Sequence, residues 1–145
     1  MSKFSLHPQL AKDCFVLGRL EQSQLLLLNN TLVPWFILVP ETDVKEIYQL
    51  QAEQQQSLLS ALNLLSVFIT SHFHSEKLNV AAIGNKVSQL HIHVIGRSPS
   101  DYCWPGVVWA DSRISRYDDK QLAQVRRAVE KQLPGLDADC FQSPV

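Results

Sequence analysis

Short apolar runs separated by polar turns dominate the first third of the chain. They cover residues 14–18, 24–28 and 35–39, and the pair Asn29-Asn30 supplies one of the turns between them. Apolar runs of this length that end in turn-forming residues are typical of β-strands. Because the four leucines from Leu25 to Leu28 do not alternate with polar residues, we expect both faces of that strand to be covered, by a helix or by a partner subunit.

Helical periodicity begins in the middle of the chain. The pair Asp43 and Glu46 has the spacing of a capping box and predicts a short helix. A long helix is expected over residues 51–72, where the apolar residues form a stripe on one face. That stripe consists of Leu58, Leu62, Leu65 and Ile69. A last helix is expected over residues 118–133, with Pro134-Gly135 as its stop signal.

Two further strands and an irregular segment complete the pattern. The strands are expected over residues 78–83 and 89–95, and the irregular segment covers residues 98–117. Strands, a helix, more strands and a final helix favour an α+β fold with a mainly antiparallel sheet, one long central helix and a C-terminal helix. We expect residues 1–145 to form one domain whose core spans about residues 10–110.

Composition limits the binding partners and the cellular compartment that are expected. The 145 residues are 46% hydrophobic and carry a net charge of −1, which suits a folded chain and disfavours long nucleic acid or an anionic membrane as partner. Three widely spaced cysteines support neither a disulfide framework nor a structural zinc site, so a cytoplasmic setting is expected. Neither a signal-peptide core nor an apolar stretch of the ~20 residues that span a bilayer is seen.

Strict alternation over residues 89–95 holds the candidate chemistry. In a strand its apolar side chains face the core, and three polar side chains share the other face: Gln89, His91 and His93. Imidazole exchanges protons near neutral pH and is also a nucleophile. Two other interpretations stay open, a half-exposed polar face and a metal site. A catalytic zinc would need a third ligand, for which His72 and His74 are weak candidates, and His7 lies in an end expected to be disordered.

Residues 84–97, which read GNKVSQLHIHVIGR, resemble the signature of the histidine triad (HIT) family, His-φ-His-φ-His-φ-φ with φ apolar. The segment Trp104-Pro105-Gly106, the strand around residues 35–40 and the helix before the signature also lie where that family places them. The resemblance covers about residues 10–110. It is closest to a bacterial branch with a Gln-Leu-His-x-His-Val core.

The resemblance implies a nucleotide hydrolase or transferase that acts on nucleoside phosphate esters, anhydrides or phosphoramidates at the α-phosphate. His91 would then be the nucleophile that forms a nucleotidyl-histidine intermediate, and His93 would contact the phosphate and assist the leaving group. The family pairs two subunits through a shared sheet, so a homodimer is expected, and no metal or cofactor is implied.

Further polar and aromatic residues are candidates for contacts with the substrate. They are Asn30, Asn85, Lys86, Ser88 and Trp104, with Arg97 as another possible cation. Trp104 and Trp109 are able to stack on a base, although packing at a dimer interface or as a lid is the favoured interpretation.

The sequence departs from the family pattern at two places. Gln89 replaces the first histidine of the signature, and an amide cannot relay a proton at neutral pH. Many members also carry a histidine in the strand that here contains Trp35 and Phe36. A nucleotide-binding module with little or no catalysis therefore remains the alternative to an enzyme.

Overall fold

A computed structural model describes residues 3–140 of the chain. Within these residues the strands are β1 (Cys14–Leu20), β2 (Ser23–Leu28), β3 (Trp35–Pro40), β4 (Lys77–Ala81), β5 (Ile92–Arg97) and β6 (Leu136–Asp137). The helices are α1 (Pro8–Asp13), α2 (Ala52–Phe73) and α3 (Asp119–Gln132), and short 3-10 helices lie at Ile47–Gln49 and Val108–Ala110. No helix in this part of the chain has the length and apolar character needed to cross a membrane.

The six strands form one sheet in the order β4-β5-β3-β2-β1-β6. Every neighbouring pair is antiparallel, which confirms the predicted α+β class with its mainly antiparallel sheet. Strand β5 lies between β3 and β4, so its backbone is hydrogen-bonded on both sides. Such a strand is a rigid platform for side chains that project from it.

Both faces of the sheet are covered by segments of the same chain. Leu25 and Leu27 of β2 pack into the core beneath α2 and α3, whereas Leu26 packs on the opposite face with Leu10 of α1 and Val108. These three leucines are fully buried, and the fourth leucine of the run, Leu28, is half-buried. The expected cover on both faces is therefore present, and this leucine run gives no independent argument for a partner subunit.

Helix α2 matches its predicted position to within one residue at each end. The short helix before it is only a 3-10 helix, and the capping box belongs to Glu46 and Gln49 rather than to Asp43 and Glu46. The prediction was wrong there because the spacing alone does not say which of two acidic residues has the extended backbone of an N-cap.

Strand β5 begins at Ile92, so residues 89–91 precede the paired strand instead of lying within it. On one side β4 ends at Ala81, which is opposite His93. On the other side β3 ends at Pro40, a residue with no N–H to offer a neighbour. The predicted alternation of faces nevertheless continues, because Leu90 packs into the core beneath α2 while His91 lines the other face.

Within residues 3–140 the structure adds three elements that the sequence patterns did not predict, which are α1, β6 and the 3-10 helix at Val108–Ala110. Strand β6 pairs with Arg19 and Leu20 of β1. Gly18 permits this approach, since its φ is 153° and a Cβ there would lie 2.5 Å from the carbonyl oxygen of Asp137.

Candidate active site

A cleft of about 720 Å³ opens where β5 begins, on the face of the sheet opposite α2. Its volume falls in the range of sites that hold small molecules, roughly 300–1,000 Å³. Its walls are formed by histidines, a tryptophan, residues of α1 and the start of β1, and the loop before β5. They include His7, His91, His93, Trp109, Leu10, Asp13, Cys14 and residues 83–87.

The ring of His91 is held in one tautomer. Its Nδ1 lies 2.7 Å from the carbonyl oxygen of Gln89. A carbonyl oxygen only accepts hydrogen bonds, so Nδ1 carries a proton, and in the neutral form of the ring Nε2 keeps its lone pair. His91 is 7% exposed. The imidazole is therefore oriented, and Nε2 is the nitrogen that its neutral form offers as a nucleophile.

The ring of His93 is held in the opposite sense. The indole Nε1–H of Trp35 donates to its Nδ1 at 2.9 Å, which leaves the ring proton on Nε2. Burial, reinforced by the charge of His91, lowers the pKa of His93 to about 4. At neutral pH the ring is therefore uncharged, and its Nε2–H is a hydrogen-bond donor.

Aromatic contacts fix the positions of both rings. The ring centroids of His91 and His93 are 5.0 Å apart. Trp109 packs edge-on against His93 at 5.4 Å and against Trp35 at 5.9 Å. Edge-to-face packing of this kind restricts ring rotation. Trp35 is thus a site residue that the sequence reasoning noted only as the absence of a histidine.

Gln89 ties the N-terminal segment to the signature. Its Oε1 accepts from the backbone N–H of His7 at 2.8 Å, and its Nε2 donates to the carbonyl oxygen of Ser5 at 2.9 Å. Both polar atoms of the amide are therefore engaged by the backbone. In this structure Gln89 holds a segment in place.

His7 is ordered and lines the cleft, so the expectation of a disordered end was wrong for this residue. Its Nδ1 accepts from the backbone N–H of Gln9 at 3.0 Å and so caps α1. A signal was available in the sequence, because Pro8 follows His7 and proline is favoured at the first position of a helix.

The loop before β5 contains the other predicted contacts. Gly84, Asn85 and Lys86 line the cleft, and Asn85 and Lys86 are exposed. Ser88 lies in a smaller adjoining pocket of about 100 Å³ that also reaches His91. The structure thus brings these predicted residues close to the imidazoles.

Two other predicted substrate contacts lie outside the cleft walls. Asn30 is buried, and its Oδ1 accepts from the backbone N–H groups of Leu32 and Ser115, each at 3.2 Å. Trp104 lies against the guanidinium of Arg97, with its ring centroid 5.7 Å from Cζ. The structure places both side chains against the chain's own loops, and their contact with substrate stays a prediction.

Arg97 is also engaged away from the cleft and is not the cation that the sequence offered. Its side chain is 2% exposed, and its Nε lies 2.7 Å from a carboxylate oxygen of Asp101. The same guanidinium donates to the Oδ1 of Asn79 and to the carbonyl oxygen of Gly106, each at 2.8 Å. It thereby fixes the start of the irregular segment that carries Trp109.

Cys14 also lies on the cleft wall. Burial, with the charge of Asp13 as a smaller cause, raises the pKa of the Cys14 thiol to about 12, so it is not a thiolate at neutral pH. Across residues 3–140 no group of three or more His, Cys, Asp or Glu side chains is placed to hold a metal ion. His72 stacks on Phe68 of the same helix instead of joining the other histidines.

Comparison with known proteins agrees with this fold. The model of the HIT domain matches residues 9–100. A histidine triad protein from Marinobacter aquaeolei VT8 is 41% identical, with a TM-score of 0.89 over 94% of this chain and 100% of its own. A HIT protein from Sinorhizobium meliloti 1021 is 34% identical, with a TM-score of 0.86 over 90% and 97% of the two chains.

A third solved structure, a histidine triad protein from Bradyrhizobium japonicum, is 33% identical and has a TM-score of 0.86 over 90% of this chain and 98% of its own. No curated protein matches the chain in sequence. Because the domain model covers more than half of the chain, the protein belongs to the histidine triad (HIT) family.

Proposed function

We propose that the protein is a nucleotide hydrolase or transferase that cleaves nucleoside phosphate esters, anhydrides or phosphoramidates at the α-phosphate. The observation that carries the proposal is the hydrogen bond from His91 Nδ1 to the carbonyl of Gln89. It orients the ring in a cleft of nucleotide size and, in the neutral form of the ring, leaves the lone pair on Nε2, which is what attack on phosphorus requires.

In the first step the Nε2 lone pair of His91 forms a bond to the α-phosphorus. The bond from phosphorus to the leaving oxygen or nitrogen breaks, and its electron pair stays with the leaving group, which takes a proton from water. In the second step water attacks phosphorus and gives up a proton. The phosphorus–nitrogen bond breaks, and its electron pair returns to Nε2 of His91. The products are the leaving group and a nucleoside monophosphate.

His93 acts in this scheme as a hydrogen-bond donor from Nε2–H to a phosphoryl oxygen or to the leaving group. It does not transfer its proton, because Nδ1 already accepts from Trp35 and loss of the Nε2 proton would create an imidazolate. Donors aimed at developing charge in a desolvated site are a strong source of catalysis. Asn85, Lys86 and Ser88 supply the other contacts to phosphate.

The direct test is product formation by the wild-type protein. Incubation with a dinucleoside polyphosphate and, separately, with an adenosine phosphoramidate is expected to yield nucleoside monophosphate. Absence of turnover with every nucleotide substrate tried would contradict the proposal.

One observation favours a second candidate, a nucleotide-binding module with little catalysis. Both polar atoms of Gln89 are bound to the N-terminal segment, so this residue has no part in proton transfer. The module predicts that AMP stabilises the protein by RT ln(1 + [L]/Kd) while no product forms. Product formation by the wild-type chain decides between the two candidates.

Replacement of Trp35 by phenylalanine tests the role of His93. The change removes the Nε1–H that fixes the tautomer of His93, and the proton then redistributes between its ring nitrogens. Loss of one such buried hydrogen bond costs about 1–3 kcal/mol, so kcat/KM is expected to fall about fivefold to a hundredfold. Steady-state kinetics measure the change.

The matched control is Trp109→Phe. The Nε1 of Trp109 is buried without a hydrogen-bond partner among residues 3–140, so the same chemical change breaks no such bond there. We expect a smaller loss for this variant. Equal losses in the two variants would show that ring packing, and not the hydrogen bond to His93, is what matters.

We further propose that the protein is a cytoplasmic homodimer. Strand β4 is an edge of the sheet, and its Val80 is 47% exposed. On the neighbouring helix α2, Leu59 and Val67 are 57% and 66% exposed. An open strand edge favours association, and exposed apolar side chains on a helix that covers the sheet add to it.

The dimer predicts a solution mass of twice the chain mass by sedimentation equilibrium. Val80→Glu is expected to shift the protein towards the monomer, because it places a charge on the exposed edge strand. Val107→Glu is the control, since Val107 is also exposed but lies in the irregular segment. A wild-type protein that sediments as a monomer would refute the dimer.

A further inference from the structure

The N-terminal segment is built into the cleft wall. Leu10 of α1 is 6% exposed, and Phe4 and Leu6 pack against the same core cluster. The Gln89 amide then fixes the backbone of this segment by accepting from His7 and donating to Ser5. The anchored segment places the His7 ring on the same cleft as His91 and His93.

The hydrogen bonds of His7 determine which atom it offers. Its Nδ1 accepts from the Gln9 N–H at the start of α1. The neutral ring therefore carries its proton on Nε2. A hydrogen-bond donor is thus available on a ring whose backbone and Nδ1 are both fixed.

A donor on this wall would add to the contacts that His93, Asn85 and Lys86 offer a bound nucleotide. His93 is neutral at neutral pH, and the Arg97 guanidinium is engaged by Asp101 and Gly106. The titratable side chains on the wall are His7, Asp13, Cys14, Lys86, His91 and His93. Asp13 is an acid and does not offer a phosphate a positive charge. Its Oδ2 accepts a hydrogen bond from the side chain of Gln9.

We propose that His7 donates a hydrogen bond from Nε2 to a phosphate oxygen of the bound nucleotide, and that Gln89 is the positioning residue that holds it there. The inference rests on the proposed nucleotide site and deepens it. It gives the cleft a third imidazole, which comes from a distant part of the sequence, whereas the amide of Gln89 supplies none. His7 does not transfer its proton, because release of that proton while Nδ1 holds the helix cap would leave an imidazolate.

Calorimetric titration with AMP tests the role of His7. In His7→Asn the side-chain oxygen is still able to cap α1, since asparagine is a favoured N-cap residue, but the shorter side chain lacks the Nε2 donor. A hydrogen bond to a charged phosphate is expected to make the Kd about tenfold larger when it is lost. His74→Asn is the control, because His74 is exposed at the end of α2, has a positive φ that asparagine tolerates, and is not part of the cleft wall.

Gln89→Ala and the double variant test the positioning role. If Gln89 acts through His7, Gln89→Ala raises the Kd about as much as His7→Asn does, and the double variant binds no more weakly than Gln89→Ala alone. A purely structural role for Gln89 would lower the melting temperature of the free protein and leave the tenfold effect of His7→Asn intact in the Gln89→Ala background. That result would overturn the positioning role.

A second measurement uses the wild-type protein, so it does not depend on whether these variants fold. In wild-type protein labelled with ¹⁵N-histidine, AMP is expected to shift the Nε2–H resonance of His7 and leave that of His74 unchanged. AMP that binds without shifting His7, with an unchanged Kd in His7→Asn, overturns this inference alone. A wild-type chain that binds neither AMP nor any other nucleotide overturns the proposed function itself.

Discussion

His91→Ala is expected to lower kcat for nucleotide turnover by at least about a thousandfold. The substitution removes the nitrogen that forms the covalent bond to phosphorus, and losses of this size or larger are typical when a nucleophile is deleted. The measurement is the rate of nucleoside monophosphate release from a phosphoramidate substrate at saturation.

Binding and activity should separate in this variant. His91→Ala is expected to retain measurable AMP affinity, because the loop before β5, His7 and His93 still line the cleft. His74→Asn, which alters an exposed histidine outside the cleft, is expected to turn over substrate at the wild-type rate. Residual activity above about a tenth of wild type in His91→Ala would contradict a covalent role for this residue.

Asp101→Ala is expected to destabilise the protein by about 3–5 kcal/mol, because it leaves the Arg97 guanidinium buried without its carboxylate. The Arg97 and Asp101 side chains are only 2% and 7% exposed. Urea denaturation gives the free energy of unfolding. Asp111→Ala is the matched control, since it breaks an arginine–aspartate pair whose Arg113 side chain is 60% exposed, and exposed pairs contribute little.

The effect of Asp101→Ala should depend on pH in one direction. Burial alone would raise the pKa of Asp101, but hydrogen bonds from Arg97 and from the backbone N–H groups of Ser98 and Cys103 outweigh it and lower the pKa. A carboxyl group with a lowered pKa in the folded state stabilises that state above its ordinary pKa of ~3.9 and loses this contribution as the pH falls. The difference between wild type and variant should narrow in acid. A difference that does not change with pH would contradict the ion pair as its origin.

Local periodicity was sufficient to predict that His91 and His93 lie on one face and that α2 buries an apolar stripe. A side-chain period of two in residues 89–95 put His91 and His93 on one face whether or not the backbone was paired with a neighbouring strand. The stripe on α2 likewise needed no knowledge of its partner, since amphipathic helices bury their apolar face in almost any context. These parts of the fold depend on residues close together in the chain.

The groups that fix the imidazoles could not be predicted in the same way. Trp35 reaches His93 across 58 positions of sequence, and Gln89 reaches His7 across 82. Such contacts depend on strand register and on how the N-terminal segment packs, which no local pattern encodes. The interpretation of Trp35 as a missing histidine therefore hid its actual role as the donor to His93.

Polar residue types were also ambiguous between ligand contacts and internal contacts. The amide of Asn30 suits a phosphate as well as it suits two backbone N–H groups, and the structure places it on the backbone. Arg97 suits a nucleotide as well as it suits Asp101, and it is buried with Asp101. Only burial and hydrogen-bond geometry separate the two possibilities.

The covalent intermediate is the most direct test of the proposed mechanism. Wild-type protein mixed with a dinucleoside polyphosphate, quenched in alkali after a fraction of one turnover and digested is analysed by mass spectrometry. The mechanism predicts a mass increase of one nucleotidyl group on the peptide that contains His91, assigned to that residue and absent from His91→Ala. Turnover by the wild-type protein with no labelled His91 at any time point, or a label on another residue, would contradict it.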